Sequence, residues 1–157
     1  MQLKIAYIEY SINTRSLDIF TIGCNGCCKG CFNQEIKNWN SNGMSLEEAI
    51  FKIRDLYKQF ERLIDKFIIV GGDPVDGEYM TGGVSVLLDD LKLLSNKPIF
   101  LFTRHSLENV PKNILKKADY IKCGEYIPDL TIDNNIQYGI KLATSNQYIY
   151  KRGEDYV

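Results

Sequence analysis

Long apolar runs are missing from this 157-residue chain. The longest, FIIV (67–70) and IFLF (99–102), fall far short of the roughly 20 residues that cross a bilayer, so no membrane segment is expected. A surplus of charge of either sign is missing as well. Lysine plus arginine number 19 against 20 aspartates and glutamates, a formal net charge of -1. The footprint of a phosphate-backbone binder is therefore absent, and nucleic acid is not an expected partner. The opening MQLKIAYIEY holds no basic region followed by unbroken apolar sequence, because Glu9 interrupts it. No secretory leader is expected, and the expected location is the cytoplasm. Histidine and tryptophan occur once each. No arrangement of serine, histidine and aspartate points to a hydrolase, and GGDPVDGEYMTGG (71–83) lacks the lysine and spacing of a phosphate-binding loop. Cysteine too is nearly absent, except in one place. Four of the five cysteines lie in GCNGCCKGCFN (23–33), leaving only Cys123 elsewhere. One outlying thiol excludes a second cysteine-ligated cluster. In a reducing compartment, such crowding reads as metal or redox chemistry and not as a disulfide framework.

What is present suits an ordinary globular protein. Apolar residues are 45% and charged residues 25% of the chain, and the length fits one domain, 1–157, with its own core. No internal repeat, low-complexity stretch or linker interrupts it. Ser45-Leu-Glu-Glu48 is a capping box that predicts a helix start. Leu46, Ile50, Ile53, Tyr57 and Phe60 then recur at helical spacing and are expected to form a buried stripe. Val84, Leu87, Leu88, Leu91 and Leu94 predict a second helix, and PKNILKKA (111–118) a short third. Residues 3–8, 17–22, 66–70, 98–103 and 119–124 read as strands; FIIV and its neighbours suit strands covered on both faces. Strands alternating with helices predict an α/β fold with a mainly parallel sheet. About four such units are expected, too few for a closed barrel of about 250 residues, so the expectation is an open partial (β/α) barrel. After Pro128 the pattern weakens and runs into polar TSNQ (144–147).

Within the loop, Cys24, Cys28 and Cys31 form C-x3-C-x2-C, with Cys27 as an extra thiol beside Cys28. A structural zinc site wants four tetrahedral ligands, usually two pairs from separated segments. Three thiolates on a glycine-bearing loop suit a cubane iron-sulfur cluster with one open corner. From spacing alone three readings stand. They are the cluster, a zinc knuckle completed by a distant ligand such as His105 or Cys123, and a thiol redox loop.

The loop resembles the C-x3-C-x2-C signature of radical S-adenosylmethionine enzymes. IIVGGDPV (68–75) resembles the strand-end motif that holds the methionine end of their cofactor. The short length, the Cys-x-Gly-Cys ending, Gly-Gly-Asp-Pro and the closing TSNQ are similar to the branch that activates anaerobic ribonucleoside-triphosphate reductase. That resemblance implies a shortened radical S-adenosylmethionine fold and a 4Fe-4S cluster on Cys24, Cys28 and Cys31. It also implies S-adenosylmethionine bound by Gly71, Gly72, Asp73, Pro74 and Thr103. The implied activity is reductive cleavage of that cofactor to a 5′-deoxyadenosyl radical, which takes hydrogen from a glycine of a glycyl-radical protein, the anaerobic reductase. With no second cluster, the electron is implied to come from an external one-electron donor such as flavodoxin. An enzyme of the same family acting on a small molecule, as the 7-carboxy-7-deazaguanine-forming members do, and a non-enzymatic zinc or thiol module are the alternatives.

The branch often carries Tyr-Thr-Gly where this chain has FTRH (102–105). Thr103 fits; Arg104 and His105 depart. Arg104 reads first as a solvated loop arginine and second as a contact to the cofactor carboxylate or the partner. His105 reads as a lone loop histidine, Cys123 as a buried structural thiol, and Trp39 as interface or core. Asn146 and Gln147 read as a polar loop, or as a tail motif that helps cover the cofactor.

Overall fold

The structure is a computed structural model that describes residues 2–26, 30, 31 and 34–157. Cys27, Cys28 and Phe32 lie outside the described residues. Five strands follow the apolar runs: β1 (Lys4–Ser11), β2 (Ser16–Thr21), β4 (Lys66–Gly71), β5 (Ile99–Phe102) and β6 (Tyr120–Cys123). Three helices alternate with the last four of them: α1 (Leu46–Phe60), α2 (Glu78–Leu94) and α3 (Lys112–Leu115). A two-residue β3 (Met44–Ser45) precedes α1; the tail adds β7 (Ile136–Gln137), β8 (Ile140–Lys141) and β9 (Tyr148–Lys151). Among the described residues no helix is long and apolar enough to cross a membrane.

The sheet has seven strands in the order β3-β1-β2-β4-β5-β6-β9, with β7 and β8 paired separately. β2, β4, β5 and β6 are parallel neighbours; β1, β3 and β9 pair antiparallel at the two edges. The repeating units therefore number three, β2-α1-β4, β4-α2-β5 and β5-α3-β6, and not the four expected. The first two strand-like runs form an antiparallel hairpin instead. Strand β9, hidden behind TSNQ, escapes sequence reading because YIYK is short and its partner β6 is distant.

Helix α1 starts where the capping box predicts. Ser45 Oγ accepts the Glu48 N–H at 3.2 Å, and Glu48 Oε2 accepts the Ser45 N–H at 2.8 Å. Its buried stripe is Ala49, Ile53 and Tyr57, with Leu46 and Ile50 partly covered, whereas Phe60 is exposed at the last turn. The parallel strands are covered on both faces, as their composition predicts. Phe67, Ile69, Ile99, Leu101 and Ile121 pack under the helices; Ile68 and Phe100 pack on the opposite face against Ile140, Leu142 and Ile149 of the tail.

Candidate metal centre

Register brings the two sequence motifs together. Thr21, the last residue of β2, is the parallel partner of Gly71, the last of β4, so the cysteine loop and the Gly-Gly-Asp-Pro loop leave the same edge side by side. Backbone hydrogen bonds then lace them: Gly72 N–H donates to Thr21 O at 2.8 Å, and Asp73 N–H to Gly23 O at 2.7 Å. This closeness demands glycine. Gly71 has φ +123°, and a methyl group on it would overlap the Thr21 backbone. A methyl group on Gly72 would overlap the Gly23 carbonyl. On the far side, Gly23 and Cys24 donate to Ile36 O and Lys37 O. The Trp39 ring packs under Gly23, and its Nε1–H donates to Asn25 Oδ1 at 3.0 Å. Trp39 is thus a floor for the cysteine loop, packed on the core.

An open cavity of about 170 Å³ lies where the parallel strands end. Cys24 and Cys31, both half-buried free thiols, form one side of it. Gly71, Gly72 and Asp73 line it from β4, Thr103 and Arg104 from β5, and Lys122, Gly124 and Tyr126 from β6 and beyond. Val70 and Phe102 supply apolar wall, and Gln147 closes the tail side. Of the residues singled out from the sequence, Pro74 is buried but does not reach this wall.

Asp73 faces the cavity with its carboxylate already engaged. It accepts from Val75 N–H at 3.0 Å, Thr103 Oγ1–H at 2.8 Å and Arg104 N–H at 3.0 Å. Thr103 Oγ1 in turn accepts the His105 N–H at 3.2 Å. Both side chains are buried, so this pair ties the β4 and β5 loops into one rigid rim. Burial pushes the Asp73 carboxyl above its usual range, against these three donors.

Sequence reading missed Asp76. Its carboxylate is buried and accepts from Asn25 N–H at 2.7 Å, Arg104 Nη2 at 3.0 and 3.1 Å, and His105 Nε2 at 2.5 Å. Burial opposes its ionisation, but His105, the Asn25 amide and the Arg104 charge outweigh burial and hold it below the usual carboxylate range. Arg104 is therefore not a solvated loop arginine. It is largely covered, ion-paired to Asp76, and 3.7 Å from Asp73. A short acidic residue in a glycine-rich turn carries no local signature of this role, because its partners lie 28 to 51 residues away.

The polar tail is an anchor. Gln147 Oε1 accepts from Ala143 N–H at 3.1 Å and Thr144 N–H at 3.3 Å, and Nε2 donates to Gly124 O at 3.4 Å. Asn146 Nδ2 donates to Glu125 O at 3.0 Å. The tail is thereby joined to the loop after β6 that lines the cavity.

A family model for a 4Fe-4S single cluster domain matches residues 14–149, most of the chain. The chain belongs to that family. No curated protein matches it at a significant level. In this 4Fe-4S single cluster domain the match runs from the turn before β2 into β9 and includes all four loop cysteines.

The donor set fits such a cluster. Cys24 and Cys31 flank one cavity as free thiols, and a thiolate-only set suits iron-sulfur ligation. A zinc knuckle completed from afar fits less well. Among the described residues, the ligand atoms within 4.8 Å of one another belong to Cys24, Asp73 and Asp76; neither His105 nor Cys123 joins them. The two carboxylates there are occupied by the chain's own donors.

Proposed function

We propose that this iron-sulfur protein is a radical S-adenosylmethionine activase of a glycyl-radical enzyme, the anaerobic ribonucleoside-triphosphate reductase. The observation that carries the reading is that the cysteine loop and the Gly71-Gly72-Asp73 rim share one cavity wall at the carboxyl ends of parallel strands, where such folds gather their ligands. In this reading Cys24, Cys28 and Cys31 hold the cluster, and the sheet curves as an open partial barrel with the cavity at its mouth. Gly71 and Gly72 present backbone to the methionine end of S-adenosylmethionine. Asp73 and Thr103 keep the rim rigid, and Pro74 fixes the turn behind it. Val70 and Phe102 exclude water from the reacting region.

When bound, the cluster and S-adenosylmethionine supply the one-electron cleavage of a carbon-sulfur bond that yields methionine and a 5′-deoxyadenosyl radical. The chain's own task is orientation: its rim keeps the nucleoside against a glycine Cα–H of the partner, which loses hydrogen and retains the radical. Cys123 is buried at the end of β6, where burial pushes its thiol up to about 11, and as the single cysteine outside the loop it does not suffice to ligate a second cluster. The electron then comes from an external donor of the flavodoxin class.

The test is anaerobic reconstitution with iron and sulfide, reduction, and an assay of 5′-deoxyadenosine with and without the reductase. The expected result is cofactor cleavage, plus a glycyl radical signal only when the reductase is present. A fully loaded four-iron protein that cleaves no S-adenosylmethionine refutes the proposal while leaving the cluster in place. Cleavage coupled to a small deazaguanine precursor instead of the reductase moves the activity to the small-molecule branch.

A further inference from the structure

Arg104 replaces the glycine expected in the β5 loop, and its surroundings give the replacement a purpose. Its backbone N–H is fixed on Asp73, and its Nη2 on both oxygens of Asp76. Asp76 is itself held by Asn25 N–H and His105 Nε2. With the guanidinium so clamped, Nε is buried and stands 3.7 Å from Asp73 Oδ2, too far for a hydrogen bond, and it has no hydrogen-bond partner among the described residues. A buried donor left unpaired costs about 1–3 kcal/mol, so an acceptor is called for.

Gly26 lies beside both that donor and the Cys24 sulfur. The position a Cβ would take on Gly26 is 2.6 Å from Arg104 Nε, 2.7 Å from Arg104 Cδ and 3.2 Å from Cys24 Sγ. The missing side chain therefore leaves the space in which arginine and thiol approach each other. The same sulfur already receives the Gly26 N–H at 3.2 Å. A thiolate bound to iron is an anionic acceptor, and hydrogen bonds and charge at such sulfurs set a cluster's potential.

We propose that Arg104 is a positioning residue that aims its Nε–H at the sulfur of Cys24 and raises the reduction potential of the cluster, with Asp76 and His105 fixing the guanidinium. The proposal rests on the assignment of Cys24 as a cluster ligand. Reduction adds one electron from the external donor and makes the cluster more negative. The fixed cation favours that state, and Arg104 gains or loses no proton. Arginine is required because its rigid fork engages Asp76 with one end and leaves Nε for the sulfur; a lysine offers the charge and its donors on a single nitrogen, which cannot span both partners.

The test is a redox titration of the anaerobically reconstituted holoprotein, followed by electron paramagnetic resonance, with iron and sulfide measured for each variant. For Arg104→Gln the equilibrium constant for reduction is expected to fall about tenfold, a midpoint about 59 mV lower for a one-electron couple. Arg104→Lys is expected to lie between that variant and the unmodified protein. Midpoints unchanged in both variants at full iron content overturn the proposal, since a merely structural arginine shifts stability and leaves the potential alone. If Arg104→Gln loses its iron, Arg104→Lys decides: a lowered midpoint supports the assignment and an unchanged one refutes it. An unmodified protein that takes up no four-iron cluster, or one that keeps it in Cys24→Ala, instead removes the ligand assignment beneath.

Discussion

Replacing Gly72 by alanine separates the structural demand of the glycine pair from any contact with a cofactor. The added methyl group meets the carbonyl of Gly23, backbone that cannot swing aside like a side-chain tip. For the two loops to part, the hydrogen bonds from Gly72 N–H to Thr21 O and from Asp73 N–H to Gly23 O must stretch or break. Each is worth about 1 kcal/mol, and overpacking a tight contact adds about 1–3 kcal/mol. The expected loss is about 3–5 kcal/mol, a large share of the roughly 5–15 kcal/mol that keeps a domain folded. With a urea dependence of about 2 kcal/mol per molar, the midpoint should fall by about 1.5–2.5 M. The assay is urea unfolding of the metal-free protein followed by circular dichroism, so that no cofactor enters the measurement. Gly82→Ala is the control. It lies on an exposed face of α2 with nothing near its would-be Cβ, and should gain about 0.5–1 kcal/mol from helix propensity. A Gly72→Ala midpoint equal to that of the parent refutes the steric argument and leaves cofactor access as the reason for the glycine.

Other outcomes follow from the same geometry. On the proposed ligand assignment, Cys24→Ala, Cys28→Ala and Cys31→Ala should each abolish S-adenosylmethionine cleavage and deplete iron, while Cys27→Ala and Cys123→Ala keep both; iron analysis with the 5′-deoxyadenosine assay checks this. Asp18 is pushed up to about 6, chiefly by burial, with Glu9 adding repulsion while the Ser16 hydroxyl and Lys66 work against the shift. Since its folded value exceeds the unfolded one near 4, its favourable contribution is complete below about pH 4 and lost as pH rises through about 6. Asp18→Asn should therefore be more stable than the parent at pH 7 by about 1–2 kcal/mol after allowance for partial exposure, and nearly equal at pH 4; unfolding across that range tests it. Gln147→Leu leaves the Ala143 and Thr144 amides without their acceptor and should cost about 2–4 kcal/mol in the same unfolding assay.

Asp76 and Arg104 mark the boundary of what could be read in advance. The iron-sulfur character of the cysteine loop and the glycine pair were legible because their meaning lies in close spacing: a few residues of chain fix which groups can converge. The pairing of Asp76 with Arg104, His105 and Asn25 was not, because nothing local distinguishes a turn aspartate that faces water from one that accepts three partners across two loops. Phe60 erred in the other direction. Its helical spacing continued the buried stripe, but it is the last residue of α1 and stands exposed. The tail was opaque for a related reason, since Gln147 acts only through amides that the tail hairpin and β6 bring to it.

From the sequence by itself came the alternation of helix and strand, the strands covered on both faces, the metal-binding character of the cysteine loop and the turn after β4. All of these are written in periodicity and short-range spacing, which the backbone's own geometry enforces. The tertiary structure alone decided that β1 and β2 form a hairpin, that β9 forms one edge of the sheet, and that a clamped arginine stands beside Cys24. Those depend on register and on contacts between distant segments, where the energy of pairing and burial selects among arrangements that local sequence permits equally.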